Sequence, residues 1–159
     1  VDGNIRRARA RIWFRVQVQF AHRTWLQGRK EVHMGVQLNH TIVWCADKVR
    51  SATLLADILG LPAPTRFGPF QVIELENTVS LDFHETKDRI ASQHYAFLID
   101  DERFDAVFAR IRARGLPYWA DPGRSKPNEI NHNDGGRGFY FADPDEHLLE
   151  VITRPYGSS

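Results

Sequence analysis

The strongest constraint on the fold is that the chain reads nearly the same twice. Leu38-Asn39-His40-Thr41-Ile42-Val43 alternates like a strand with a histidine in its middle, and Gln93-His94-Tyr95-Ala96-Phe97-Leu98-Ile99 repeats this 54 residues later. Seven residues after each histidine comes an aspartate, Asp47 and then Asp101, each placed to cap a helix. The first helix pattern carries Val49, Ala52, Ala56 and Leu59 on one side, and the second carries Phe104, Val107, Phe108 and Ile111. Both helices meet the same stop, Gly60-Leu61-Pro62 and Gly115-Leu116-Pro117, offset by 55 residues. Strand-like runs follow near Phe70 to Leu75 and Val79 to Phe83, then near Gly138 to Phe141 and His147 to Thr153, with Asp143-Pro144-Asp145-Glu146 as a turn. The pattern is βαβββ, twice: an α+β chain whose module one runs from about 36 to 84 and module two from about 91 to 156.

The bulk numbers set outer limits. A chain of 159 residues fits one compact domain or two fused modules. A formal net charge of +1 gives no basic field for nucleic acid. The single cysteine, Cys45, excludes an intramolecular disulfide framework, reads as a buried thiol, and suits a cytoplasmic protein. No stretch is long and apolar enough to suggest a membrane span. Residues 1–33 differ from the rest, with Arg6, Arg7, Arg9, Arg11 and Arg15 in an acid-poor segment. They read as a basic arm, a targeting peptide, part of the fold, or a translated leader ahead of a natural start at Met34.

Alternation along the strands picks out the unusual residues. His40 shares a face with Leu38 and Ile42, His94 with Ala96 and Leu98, and Glu150 with Leu148 and Ile152. A strand histidine on its own is ordinarily a core or surface residue that has found a hydrogen bond. Two at equivalent repeat positions, joined by an inward glutamate, point instead to a shared divalent cation, which would offset the cost of burying the carboxylate. Asp82 in Leu81-Asp82-Phe83 corresponds to Glu150 in Leu149-Glu150-Val151 and is a fourth candidate ligand. The polar connection from Asp121 to Gly136 is long enough to suggest function, and it offers Asn131, His132 and Asn133, with Arg137 just beyond, to orient a substrate. Tyr156, beyond Glu150, is placed to donate a proton or a hydrogen bond. Tyr118 and Trp119 read as core aromatics or pocket walls.

These residues resemble the vicinal oxygen chelate superfamily, which includes glyoxalase I, extradiol dioxygenases, fosfomycin-resistance thiol transferases and bleomycin-resistance proteins. The resemblance covers about Val36 to Tyr156. It rests on Leu38-Asn39-His40-Thr41-Ile42-Val43, Ile58-Leu59-Gly60-Leu61, Gln93-His94-Tyr95-Ala96-Phe97, and the closing run from Phe139 through Asp143-Pro144-Asp145-Glu146-His147 to Val151. It implies paired βαβββ modules forming a cupped sheet around a metal, with His40, His94 and Glu150 as ligands and Asp82 as the fourth where four are used. A ligand set of nitrogen and oxygen suits Fe, Mn, Ni, Co or Zn. The implied function is a metal-dependent enzyme, a lyase, isomerase or dioxygenase. Its small-molecule substrate would chelate the Lewis-acidic metal through neighbouring oxygens, with Glu150, Tyr156 and Arg137 assisting. The alternative within the family is a metal-free, ligand-sequestering protein of the bleomycin-resistance type. The resemblance also implies a homodimer with shared sites. Two departures stand out: Glu146 occupies a turn position where glycine is usual, and glyoxalase I signatures between the modules are not evident.

Overall fold

A computed structural model describes residues 35–158. Module one runs β1 (His40–Cys45), α1 (Lys48–Leu59), β2 (Thr65–Phe67), β3 (Phe70–Glu74) and β4 (Ser80–Glu85). Module two runs β5 (His94–Leu98), α2 (Asp101–Ala113), β6 (Tyr118–Trp119), β7 (Gly138–Ala142) and β8 (Leu148–Ile152). The fold is α+β, with βαβββ used twice. The expectations for residues 1–33 and Met34 lie outside the described residues.

Each module makes a four-stranded sheet, ordered β1-β4-β3-β2 in one and β5-β8-β7-β6 in the other. The first and last strands of each module run parallel, and the rest are antiparallel. The repeat holds at the level of register. Ile42 lies opposite Asp82, and Ala96 lies opposite Glu150.

The helix ends are built as the punctuation requires. Asp47 caps α1 by accepting from the Arg50 backbone N–H at 2.9 Å. Gly60 then ends it in the left-handed region at φ 71°, and the Leu61 N–H returns to the Ala56 carbonyl. Gly115 repeats this at φ 62°, with the Leu116 N–H on the Ile111 carbonyl. One cap differs from expectation. Asp100, not Asp101, caps α2, because its carboxylate reaches the Arg103 N–H three residues on, at 2.7 Å. Asp101 instead sits in the first turn.

The helices cover one face of each sheet. Val43, Cys45, Ile73, Leu81 and Phe83 join Ala52, Leu55, Ala56 and Leu59 in the core, and Phe97, Phe139, Phe141, Leu149 and Val151 join Phe104, Val107 and Ile111. The rings of Phe104 and Phe139 meet edge-on, centroids 5.4 Å apart. A buried phenylalanine of this kind contributes about 2–3 kcal/mol. Val49, expected on the buried side of α1, faces solvent instead. The opposite faces carry no helix, so His40 and His94, expected among apolar neighbours, are exposed, as are Leu38 and Leu98. Glu150 alone of the three is enclosed.

Within the chain the modules are tied by Arg103 to Glu76 at 2.7 Å, Arg114 to Asp57 at 3.5 Å, and Arg110 to the Ile58 carbonyl at 3.3 Å. The turns before β4 and β8 are also the same turn twice. Leu75 N–H bonds to Val79 O and Thr78 N–H to Leu75 O; Asp143 N–H bonds to His147 O and Glu146 N–H to Asp143 O. Thr78 (φ 67°) and Glu146 (φ 64°) both take the left-handed conformation that favours glycine. Glu146 therefore keeps the turn's shape despite its side chain.

Candidate metal centre

On the open face of module two, β5 and β8 run parallel and bring His94 beside Glu150. The His94 Nε2 lies 3.2 Å from Glu150 Oε2, with the histidine side chain 45 % exposed and the glutamate 0 % exposed. The His94 Nδ1 lies 3.0 Å from the Leu148 carbonyl. A carbonyl only accepts, so Nδ1 carries a proton. In the neutral ring Nε2 is then a lone pair facing the lone pairs of a carboxylate. Only a cation between them, either a proton or a metal, reconciles that contact. The donors also fit a metal: two atoms each about 2.1 Å from one ion and at right angles are about 3 Å apart. The Leu148 carbonyl orients the imidazole as the outer partners of metal-bound histidines do.

Two tyrosines finish the enclosure of Glu150. The Tyr156 hydroxyl lies 2.8 Å from Oε1 and 2.6 Å from Oε2 and donates to the carboxylate. Tyr140, opposite Glu150 in the ladder, places its hydroxyl 3.2 Å from that of Tyr156 and its ring against His94, centroids 6.1 Å apart. Burial, then the bond to Glu150, raises the pKa of each phenol above its ordinary value, so both remain protonated. Tyr140 is a site residue that the sequence reading misses. Its place opposite Glu150 is set by strand register, which no local sequence pattern marks.

His40 and Asp82 stand elsewhere. Both line a cleft of about 450 Å³ on the open face of module one, beside Arg66 and Phe70. The His40 Nδ1 lies 2.9 Å from the Asn39 side-chain oxygen, which directs its other nitrogen outward as a potential ligand. Asp82 is half-buried and accepts from the Ser80 hydroxyl at 2.8 Å. Among the described residues of one chain, no three His, Cys, Asp or Glu side chains converge on a metal position. Module two thus brings two candidate ligands together, and module one carries a third candidate, His40, on its own open face.

The long connection is ordered by its own contacts. Asp121 accepts from the backbone of Ser125 and Lys126 and from the Ser125 hydroxyl, bonds that hold its carboxyl below the usual range. Asn131 donates to the Ala120 carbonyl, His132 Nδ1 lies 3.2 Å from Gly136 O, and the Asn133 N–H reaches the Asn131 side chain. Arg137 lies on the helix side of the sheet. It bonds Asp101 at 2.9 Å and Asp105 at 2.6 Å and covers the Phe104 ring at 4.4 Å. This position places it with α2, apart from Glu150. Tyr118 packs on Phe108, while Trp119, opposite Tyr140, carries Arg124 over its indole at 4.7 Å.

The model of the Glyoxalase/Bleomycin resistance protein/Dioxygenase superfamily matches residues 37–151. The chain belongs to this superfamily. Its relatives include a glutathione transferase, FosA, of Serratia marcescens, 29 % identical over 120 residues, covering 72 % of this chain and 78 % of the relative. A metallothiol transferase, FosB, of Shouchella clausii is 36 % identical over 72 residues, 45 % of each chain. Among solved structures, Oxidase ChaP-H1 is similar at a TM-score of 0.76 and 59 % identity, covering 77 % of this chain and 99 % of that one. The fosfomycin resistance protein FosX of Mesorhizobium loti, at 22 % identity and a TM-score of 0.58, shares the fold.

Proposed function

We propose that this superfamily member is a metal-dependent enzyme that oxidises a small molecule bearing two neighbouring oxygen atoms, with dioxygen as electron acceptor. The observation that carries the reading is the pairing of His94 Nε2 with the fully buried Glu150 carboxylate, an arrangement that calls for a cation. The choice of oxidation is supported by two solved structures named oxidases, at 59 % and 58 % identity, each covered almost end to end.

In this reading His94 and Glu150 hold the ion from module two, and His40 completes the set from module one of a second copy in a homodimer. Asp82, in the same cleft as His40, would be the fourth ligand if four are used. The ion would be Fe, Mn, Ni, Co or Zn, and when bound it would supply Lewis-acid stabilisation to an oxygen of the substrate. The chain's own residues do the rest. Glu150 balances the cation's charge. Tyr156 holds the carboxylate and sits where it can pass a proton to or from the substrate. Tyr140 and Trp119 wall one side, and Tyr140 keeps the His94 ring in place. A cytoplasmic setting, where the lone Cys45 would stay reduced, belongs to the same reading.

The test is metal analysis of gently purified protein, then oxygen uptake with a panel of vicinal-oxygen compounds. Stoichiometric metal and substrate-dependent oxygen consumption are expected. Metal with turnover only when a thiol is added would move the reading to thiol transfer. Metal-free protein that binds a ligand tightly would move it to sequestration.

A further inference from the structure

The closing turn leads into another histidine, built into the fold more deeply than His40 or His94. His147 is 0 % exposed. Its Nδ1 lies 3.0 Å from the Gln93 backbone nitrogen, and its Nε2 lies 2.8 Å from the Trp44 carbonyl. The first partner can only donate and the second can only accept. The ring is therefore the neutral tautomer protonated at Nε2, with both nitrogens in use.

Those partners belong to the two histidine-bearing strands. Trp44 is in β1, four residues beyond His40, and Gln93 immediately precedes His94. The His147 backbone is fixed as well, its N–H donating to Asp143 Oδ1 at 2.8 Å. Asp145 extends the tie by accepting from the Ala46 N–H at 3.0 Å and the Ser51 hydroxyl at 2.9 Å, at the entry to α1. One turn thus grips the end of β1, the start of β5 and the start of β8. Module one has the same backbone turn, but Val79 stands where His147 does, after Thr78 as His147 follows Glu146. Of the two turns, only the one that leads into β8, and so to Glu150, carries the buried bridge.

We propose that His147 is a positioning residue for the metal centre. Its bond to Gln93 fixes the start of β5, and hence His94, against Glu150 on β8, while its bond to Trp44 ties that corner to β1 of the same chain. This role rests on the reading of His94 and Glu150 as metal ligands. It differs from a purely structural one because the bond to Gln93 acts one residue from a ligand, while the bond to Trp44 joins the modules.

Two substitutions separate the two bonds. In His147→Asn the new amide oxygen stands close to the place of Nδ1 and can still accept from Gln93. In His147→Gln the new amide nitrogen reaches toward the place of Nε2 and can still donate to Trp44. Cobalt(II) is the probe, read by titration of its visible absorption, alongside thermal unfolding of the full chain. Each variant loses one buried hydrogen bond, so similar falls in melting temperature are expected. The cobalt affinity should split. His147→Gln should bind about 10- to 100-fold more weakly with an altered spectrum, whereas His147→Asn should remain close to wild type. Equal, wild-type affinities in both folded variants would overturn the role. A measurement on unaltered protein guards against variants that do not fold: nitrogen-detected NMR of the imidazoles should show His147 as the Nε2–H tautomer. Finding it protonated at Nδ1 overturns the proposal without any mutant. Wild-type protein that takes up no cobalt would instead overturn the metal reading of His94 and Glu150, and this role with it.

Discussion

His94 and Glu150 face each other across 3.2 Å, one half open to solvent and the other wholly enclosed. The pair is lopsided: His94 meets solvent, and Glu150 is sealed from it. A cation bound there therefore arrives from the open face and is retained by the carboxylate beneath it.

Replacing Glu150 by glutamine removes that charge without changing the side chain's size. Because a buried carboxylate costs free energy when no cation is bound, the metal-free variant should be as stable as wild type or about 1 kcal/mol more stable. The stabilisation that metal gives wild type, about 2.7 kcal/mol at a hundredfold excess over Kd, should vanish. Melting curves with and without metal check both halves, and a glutamine variant still stabilised by metal would remove Glu150 from the ligand set. His40→Ala and His94→Ala should each strip the metal while costing little stability, since both histidines are exposed.

Sharing of the site between two copies predicts complementation. His40→Ala and Glu150→Ala chains, each inactive alone, should regain activity when mixed, because one site of a mixed dimer inherits both intact halves. Random pairing makes about half the dimers mixed, each with one working site, so roughly a quarter of wild-type activity should return. No recovery, with subunit exchange demonstrated by mass spectrometry, would place all ligands within one chain.

Tyr156 and Arg137 pair as assisting residues in the sequence, yet the structure gives them different neighbours. Tyr156→Phe deletes the hydroxyl against Glu150 and should weaken metal binding about tenfold with an unchanged melting temperature. Arg137→Ala deletes contacts to Asp101, Asp105 and Phe104 and should lower stability by about 1 kcal/mol with metal affinity intact. Calorimetric titration and unfolding of the two variants side by side would expose any reversal of these roles.

A chain starting at Met34 should unfold at the same temperature as the full chain and bind metal equally well, if residues 1–33 are a leader. A drop of several degrees on truncation would assign that segment to the fold.

Cys45 should resist thiol reagents in the native state. It is fully buried, and burial, with help from nearby Asp145 and Glu85, pushes its thiol up to about 12, leaving almost no thiolate at neutral pH. Labelling should begin only as the protein unfolds; rapid native labelling would mean that the core under β1 opens readily.

Much of this arrangement is legible in the residues alone. The offset of 54–55 residues between histidines and between helix stops reveals two modules, because both signals are local: alternation marks a strand, and glycine then proline ends a helix. The cap of α2 falls one residue earlier than its spacing suggests because Asp100 and Asp101 are adjacent, and only backbone torsion decides which carboxylate reaches the Arg103 N–H. Strands β2 and β6, three and two residues long, are too short to show a period. The faces of His40 and His94 look apolar in sequence, but a sheet has two faces and each helix covers one. The roles of Tyr140 and His147 depend on register and on contacts over long separations, such as the 103 residues between His147 and Trp44, which no local pattern encodes.

The corner before β8 turns at Glu146 with φ 64°, a torsion that a side chain resists and that surrounding bonds must hold in place. Arg124 grips the Glu146 carboxylate at 2.9 Å, the Ser92 hydroxyl donates to its carbonyl at 2.6 Å, and its N–H returns to Asp143. A glycine would make the bend more easily but would also let it swivel. With glutamate there, the strand leaves a rigid elbow, and Glu150, four residues on, arrives at a height set by the backbone rather than by whatever occupies the site.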